Sequence, residues 1–170
     1  MDEWKEETLK MITVLVASYN GSRYIKQQLD SILAQDEKDI HILVSDDCSA
    51  DGSGELLKEY EERHRDRILV LFRRKPSGGA AAHFLKLLKL MADADHNPDA
   101  DHNPDADHNP DADHDTEALP GPLSLLSEYE VTENQLARLG PLARADYFML
   151  SDQDDVWLPQ KARMLSDKMK

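Results

Sequence analysis

The chain holds one cysteine, Cys48, in 170 residues, so an intramolecular disulfide is excluded, and its scarcity fits a reducing compartment. No apolar run approaches the roughly 20 residues that a membrane span requires. The opening segment, Met1 to Lys10, is too charged for a secretory signal. A cytoplasmic location is the resulting expectation. Positive charge is scarce as well: 20 Lys and Arg stand against 34 Asp and Glu, for a net charge of −14. Proteins that grip phosphate backbones need a basic face to release counterions, so nucleic acid is not an expected partner. Any phosphate bound here should be met through a metal. No Gly-x-Gly-x-x-Gly follows the first apolar run, which argues against a dinucleotide-binding Rossmann domain.

The acidity has an address. Between Asp93 and Asp115 lie nine Asp and no Lys or Arg, and without them the net charge is only about −5. This stretch repeats Asp-Ala-Asp-His-Asn-Pro three times and begins a fourth copy. A proline every six residues, with no apolar side chain larger than alanine, predicts a disordered surface loop. Its histidines, His96, His102, His108 and His114, could hold Zn²⁺ or Ni²⁺ weakly. The resemblance of each copy to a calcium loop fails where proline replaces the glycine of the sharp turn. Expansion of a tandem repeat in a tolerant loop is the preferred explanation.

Elsewhere the pattern is regular. Met11 to Ser18 is a β-rich apolar run, and Ile25, Leu29, Ile32 and Leu33 follow at helical spacing. The alternation recurs as strand Ile40 to Ser45, helix Ser53 to His64, strand Ile68 to Phe72 and helix Ala80 to Met91, the last with Phe84, Leu87, Leu88 and Met91 on one face. After the repeat come a short helix within Leu123 to Leu139, a strand Asp146 to Ser151, and a helix with Pro159 near its first turn. Short strands alternating with amphipathic helices predict one α/β domain with a mostly parallel sheet and flanking helices. Residues 11–92 and 143–170 are assigned to that domain, 1–10 to a polar extension, and 93–142 to an insertion.

Ligands of open parallel sheets sit beyond the carboxyl ends of the strands. Three segments occupy such places: Ala17-Ser18-Tyr19-Asn20-Gly21, Ser45-Asp46-Asp47-Cys48-Ser49, and Ser151-Asp152-Gln153-Asp154-Asp155-Val156-Trp157-Leu158-Pro159. Their carboxylates have no basic partner within the motifs and would repel one another unless neutralised. Carboxylate oxygens suit Mg²⁺ or Mn²⁺, whose remaining positions go to waters and substrate phosphates. Asp46 and Asp47 also suit loop and helix capping. Of the several Asp-x-Asp tripeptides, only Asp152-Gln153-Asp154 follows an apolar strand and precedes an indole and a proline able to fix the loop.

Together and in this order, these three segments resemble the sequential motifs of family 2 glycosyltransferases. The resemblance covers Met11 to about Ala92 and Ala145 to Lys170, and its Asp-Gln-Asp-Asp-x-Trp form is most similar to bacterial rhamnosyltransferases. It implies a GT-A (Rossmann-like) fold, cut short at its C-terminal end, that binds a UDP- or dTDP-sugar for transfer to a saccharide or lipid-linked acceptor. Association with the inner face of the membrane would accompany a lipid acceptor. By the same resemblance Ala17 belongs to the donor site, Tyr19 lies along the nucleobase, Asp47 accepts its imide N–H with Asp46 beside it, and Gly79 lets backbone approach the nucleotide. Asp152 sits near the ribose or a metal-bound water, and Asp154 ligates the metal. Asp155 is grouped with Asp154 at the metal, and supports the loop or contacts the sugar. Two positions depart from the family: Cys48 stands where glycine is usual, and His83, read as a helix-surface residue, stands where asparagine is common. The family's acidic general base lies downstream of the Asp-x-Asp motif, and no candidate for it is present.

A phosphoacceptor receiver domain is the rival from another class, since Ile42 to Asp47 resembles its acidic pocket. A receiver would open on that strand and would need a late lysine strand, which is lacking. A non-catalytic fragment with the same fold, binding nucleotide or a partner chain, is the other alternative. An uncovered sheet edge in a short chain predicts self-association.

Overall fold

The computed structural model describes residues 10–95 and 121–169, in which five strands and five α-helices form one α/β unit. The strands are β1 (Ile12–Ser18), β2 (Ile40–Asp46), β3 (Ile68–Arg73), β4 (Tyr129–Glu130) and β5 (Tyr147–Asp152). The helices are α1 (Ile25–Leu33), α2 (Ser53–Arg63), α3 (Ala80–Asp95), α4 (Glu133–Ala143) and α5 (Lys161–Lys168). Sheet order is β4-β3-β2-β1-β5, parallel throughout except for β4, which runs antiparallel to β3.

The two faces of the sheet follow from the two-residue period of a strand. Ile12, Val14 and Val16 point into one core layer with α1, α2 and Trp157, while Leu15 and Ala17 point into the other with α3 and α4. Every residue of β1 is therefore buried, which is why it reads as a continuous apolar run. The chain steps from β1 to β3 in one direction and returns past β1 to β5 in the other. Crossovers of constant hand then place α3 and α4 on the face opposite α1 and α2. Strand order reverses at β1, and that is where a ligand crevice opens in such sheets.

Three local readings change. First, α3 continues through Asp95 with Ala94 buried, so the first Asp-Ala-Asp belongs to a helix; the remainder of the repeat lies outside the described residues, as does the extension before Lys10. Second, its buried face is His83, Leu87, Leu90, Met91 and Ala94, and Leu88 turns outward. Third, the single helix expected within Leu123 to Leu139 is a 3₁₀ helix (Gly121–Glu128), then β4, then α4. Residues grouped with the insertion thus complete the second core layer: Leu126, Tyr129, Leu139 and Leu142 are buried there. A capping box explains the sharp start of α4, because Thr132 accepts from the Gln135 amide while the Gln135 side chain receives the Thr132 amide. Among the described residues the sheet is bounded by the two-residue β4 and by β5, and β5 is the longer edge, with its Phe148 and Leu150 exposed.

Candidate functional site

At the carboxyl ends of β1, β2 and β5 the chain forms a cavity of about 410 Å³ lined by Ala17, Ser18, Tyr19, Asp47, Asp152 and Gln153, with Gly78, Gly79, Ala80 and His83 closing it from α3. Five expected donor-site residues, Ala17, Tyr19, Asp47, Gly79 and Asp152, therefore meet around one cavity. Tyr19 is 56% exposed, its ring unclaimed by the core. Gly78 and Gly79 have φ of 101° and 123°, a left-handed path closed to most side chains, and they deliver the chain into α3 against the cavity.

The first two motif loops are laced together. Asn20, itself at φ 49°, donates its amide to Ser49 Oγ at 2.8 Å and accepts from the Ala50 amide at 2.9 Å. The Ser22 amide reaches Asp51 Oδ2, and the Gly21 amide reaches Ser53 Oγ, each at 2.9 Å. Burial opposes the Asp51 charge, but hydrogen bonds from Ser53 and Ser22 outweigh it and hold its pKa well below the carboxylate range. Asp46 is excluded from the cavity lining: its carboxylate accepts from the Ser49 amide at 2.9 Å and Ser49 Oγ at 2.6 Å, the capping role left open by the sequence. Cys48 has φ 63°, which accounts for glycine being usual at this position. Burial and the neighbouring Asp47 and Asp46 raise its thiol pKa.

The third motif is tied to the first by Gln153, a residue to which the sequence reading gave no role. Its Oε1 accepts from the Tyr19 amide at 2.6 Å and its Nε2 donates to the Tyr19 carbonyl at 2.9 Å. The indole expected to fix this loop does so: Trp157 is buried, and its Nε1 donates to Ser151 Oγ at 3.0 Å. Ser151 Oγ also receives Gln28 Nε2, and the Trp157 amide donates to Ser31 Oγ at 2.9 Å.

Neutralisation of Asp47 comes from outside the motifs. Arg73, at the end of β3 with a fully buried side chain, places Nε 3.1 Å from Asp47 Oδ1. Ser77 adds its amide to Oδ1 at 2.6 Å and its hydroxyl to Oδ2 at 2.7 Å. His83 is buried rather than on the helix surface, its Nε2 2.7 Å from Ser45 Oγ, and burial lowers its pKa despite Asp47 and Asp46 nearby. No sequence motif marked Arg73 or Ser77; the clue was a cation closing an apolar strand one element before the glycine turn.

The acidic repulsion inferred from sequence is thus confined to Asp152, Asp154 and Asp155, all exposed. Asp154 and Asp155 do not line the cavity; the Asp155 carboxylate accepts from the Asp152 amide at 3.4 Å and its own amide donates to the Asp152 carbonyl at 3.3 Å, closing the turn. Among the described residues no three His, Cys, Asp or Glu side chains gather as a metal cage. Asp152 on the cavity wall, with Asp154 and Asp155 exposed in the turn that follows, still fits Mg²⁺ or Mn²⁺, which bind through one or two carboxylates and fill the other positions with water and phosphate oxygens. A larger cavity of about 600 Å³ between Val156, Leu158, Met164 and Leu165 contains none of the expected donor- or metal-binding residues.

Residues 13–101, just over half of the chain, match the family model described as glycosyl transferase family 2. The chain belongs to this family. Similar relatives include the dTDP-rhamnosyl transferase RfbG of Shigella flexneri, 36% identical over 74 residues that are 44% of this chain and 26% of that protein. Glycosyltransferase GlyA of Streptococcus pneumoniae is 42% identical over 71 residues, 42% of this chain and 10% of that protein. Three relatives are matched over only 22%, 31% and 26% of their lengths, so this family 2 chain corresponds to a minority of each. S. aureus TarS in complex with UDP superposes with a TM-score of 0.54 at 17% identity, covering 92% of this chain and 31% of that one. The family 2 chain shares its fold with TarS, in keeping with the GT-A architecture expected from the motifs.

Proposed function

We propose that this family 2 domain binds a nucleoside-diphosphate sugar, UDP- or dTDP-linked, for glycosyl transfer to a saccharide or lipid-linked acceptor in polysaccharide synthesis. The observation that carries this reading is the meeting of Ala17, Tyr19, Asp47, Gly79 and Asp152 around one cavity at the point where strand order reverses. Tyr19 offers a ring for the base to lie on, and Asp47 offers a carboxylate paired with Arg73 to accept an imide N–H. The glycine turn at Gly78 and Gly79 lets backbone approach the nucleotide closely. Asp152 would stand near the ribose or a metal-bound water, and Asp154, with Asp155 fixing the turn, would be the metal ligand. A bound Mg²⁺ or Mn²⁺ would neutralise the charge that develops on the departing nucleoside diphosphate. The name of RfbG supports a dTDP-sugar among the candidate donors.

Among the described residues no helix is long and apolar enough to cross a membrane. The free edge of β5, with Phe148 and Leu150 beside it, supports self-association of the chain. The experiment is calorimetric titration of UDP and dTDP with and without Mn²⁺, on the chain and on Asp154→Ala. Metal-dependent binding that the variant weakens by about tenfold or more, the scale of one or two charge-assisted contacts, supports the reading. No binding of either nucleotide under any condition refutes it.

A further inference from the structure

Glu128 lies at the end of the 3₁₀ helix, 55 residues beyond Arg73 and outside every motif that marks the donor site. Its Oε2 is 2.5 Å from Arg73 Nη2 and 3.0 Å from Lys86 Nζ. Arg73 in turn holds Asp47 through Nε, which also donates to the Lys75 carbonyl at 3.2 Å. Nη1 has no partner among the described residues, so the plane of the guanidinium is set by the Nε contacts at one end and by Glu128 at the other. The Tyr129 ring lies under the same group, 5.0 Å from Cζ, and the Arg74 amide bonds the Glu128 carbonyl at 2.8 Å. Hydrogen bonds from Lys86 and Arg73 keep the partly exposed Glu128 carboxyl below its ordinary pKa, so it stays charged beside the buried guanidinium.

We propose that Glu128 is a positioning residue for base recognition: by fixing Arg73 it fixes the direction in which the Asp47 carboxylate presents itself to the cavity. Base selectivity then depends on a segment that follows the repeat. This rests on the donor reading, and the two can fail separately. Asp47 is already held by Ser77 on both oxygens. What Glu128 adds is the orientation of the cation on Asp47 Oδ1, and hence of the carboxylate plane that presents the less occupied Oδ2 to a ligand. A uracil or thymine donates from its imide N3–H to such a carboxylate, whereas cytosine N3 is an acceptor, so the ratio of UDP to CDP affinity reads the alignment.

The test is titration of UDP and of CDP, each with Mn²⁺, into the unaltered chain, Glu128→Gln and Glu128→Asp. Gln keeps the shape and loses the charge; Asp keeps the charge and withdraws the oxygen by one methylene, so at least one variant retains the fold. The expected result is a loss of about tenfold in UDP affinity, the scale of one charge-assisted hydrogen bond, with CDP affinity within about twofold of the unaltered chain. An unchanged UDP to CDP ratio in both variants overturns the proposal alone, and so does an equal loss for both nucleotides, which marks a purely structural contact. An unaltered chain that binds both equally overturns it too. An unaltered chain that binds neither overturns the donor reading together with it.

Discussion

Gly21→Ala probes the joint between the first and third motifs. An added Cβ would lie 2.4 Å from Gln153 Oε1 and 2.8 Å from Gln153 Cδ, closer than non-bonded atoms approach, while its φ lies outside the left-handed region. The strain therefore falls on the Gln153 side chain and not on the backbone at residue 21. Swinging Gln153 aside forfeits both of its hydrogen bonds to Tyr19. At about 0.5–1.5 kcal/mol each the loss is about 1–3 kcal/mol. Gln153→Ala removes the same two bonds and should cost the same. In that background the space is already open, so adding Gly21→Ala should cost nothing further and can stabilise by about 0.4–1 kcal/mol through the stiffer unfolded chain. Urea unfolding of the four proteins measures the cycle. Additive costs would refute the reasoning, since they would show that residue 21 meets something other than Gln153.

Two further outcomes follow from the same interactions. Thr132→Ala should cost about 1 kcal/mol by removing the capping box of α4, read as a lower urea midpoint; Thr132→Ser should recover most of it. His83 has its folded-state pKa below the ordinary value of 6.5, so the unfolded chain binds the extra proton first and stability rises with pH across that window. The stability is complete above about pH 6.5 and falls as the pH drops toward the folded-state value. His83→Gln should flatten this slope in urea midpoints measured between about pH 5 and 7, and an unchanged slope would assign the acid sensitivity to other groups.

Much of the parallel sheet was legible because β1, β2 and β3 are buried on both faces and so read as unbroken apolar runs. The donor-site loops were legible because strand ends are marked by Asp, Asn and Gly. β4 was not, since two residues carry no period, and Tyr129 and Glu130 become a strand only by pairing with Phe72 and Arg73. The phase of α3 was misread because Phe84, Leu85, Leu87 and Leu88 are all apolar, so hydrophobicity could not exclude His83 from the inner face. Asp46 and Asp47 show the limit most plainly. They are adjacent and identical in kind, yet one is consumed by Ser49 and the other is held toward the cavity by an arginine from another strand. Which carboxylate is free for a ligand depends on tertiary partners that no local pattern encodes.

The Asp47, Arg73 and Glu128 assembly also constrains how such a sequence can drift. Arg73 is its fully buried centre, so a neutral residue there leaves Asp47 without its cation, and loss of Glu128 removes one of the two carboxylates that balance the guanidinium. Changes at Arg73 and at Glu128 are therefore expected to be coupled. An alignment of homologues should show these two columns, far apart in the chain, losing their charges in the same lineages.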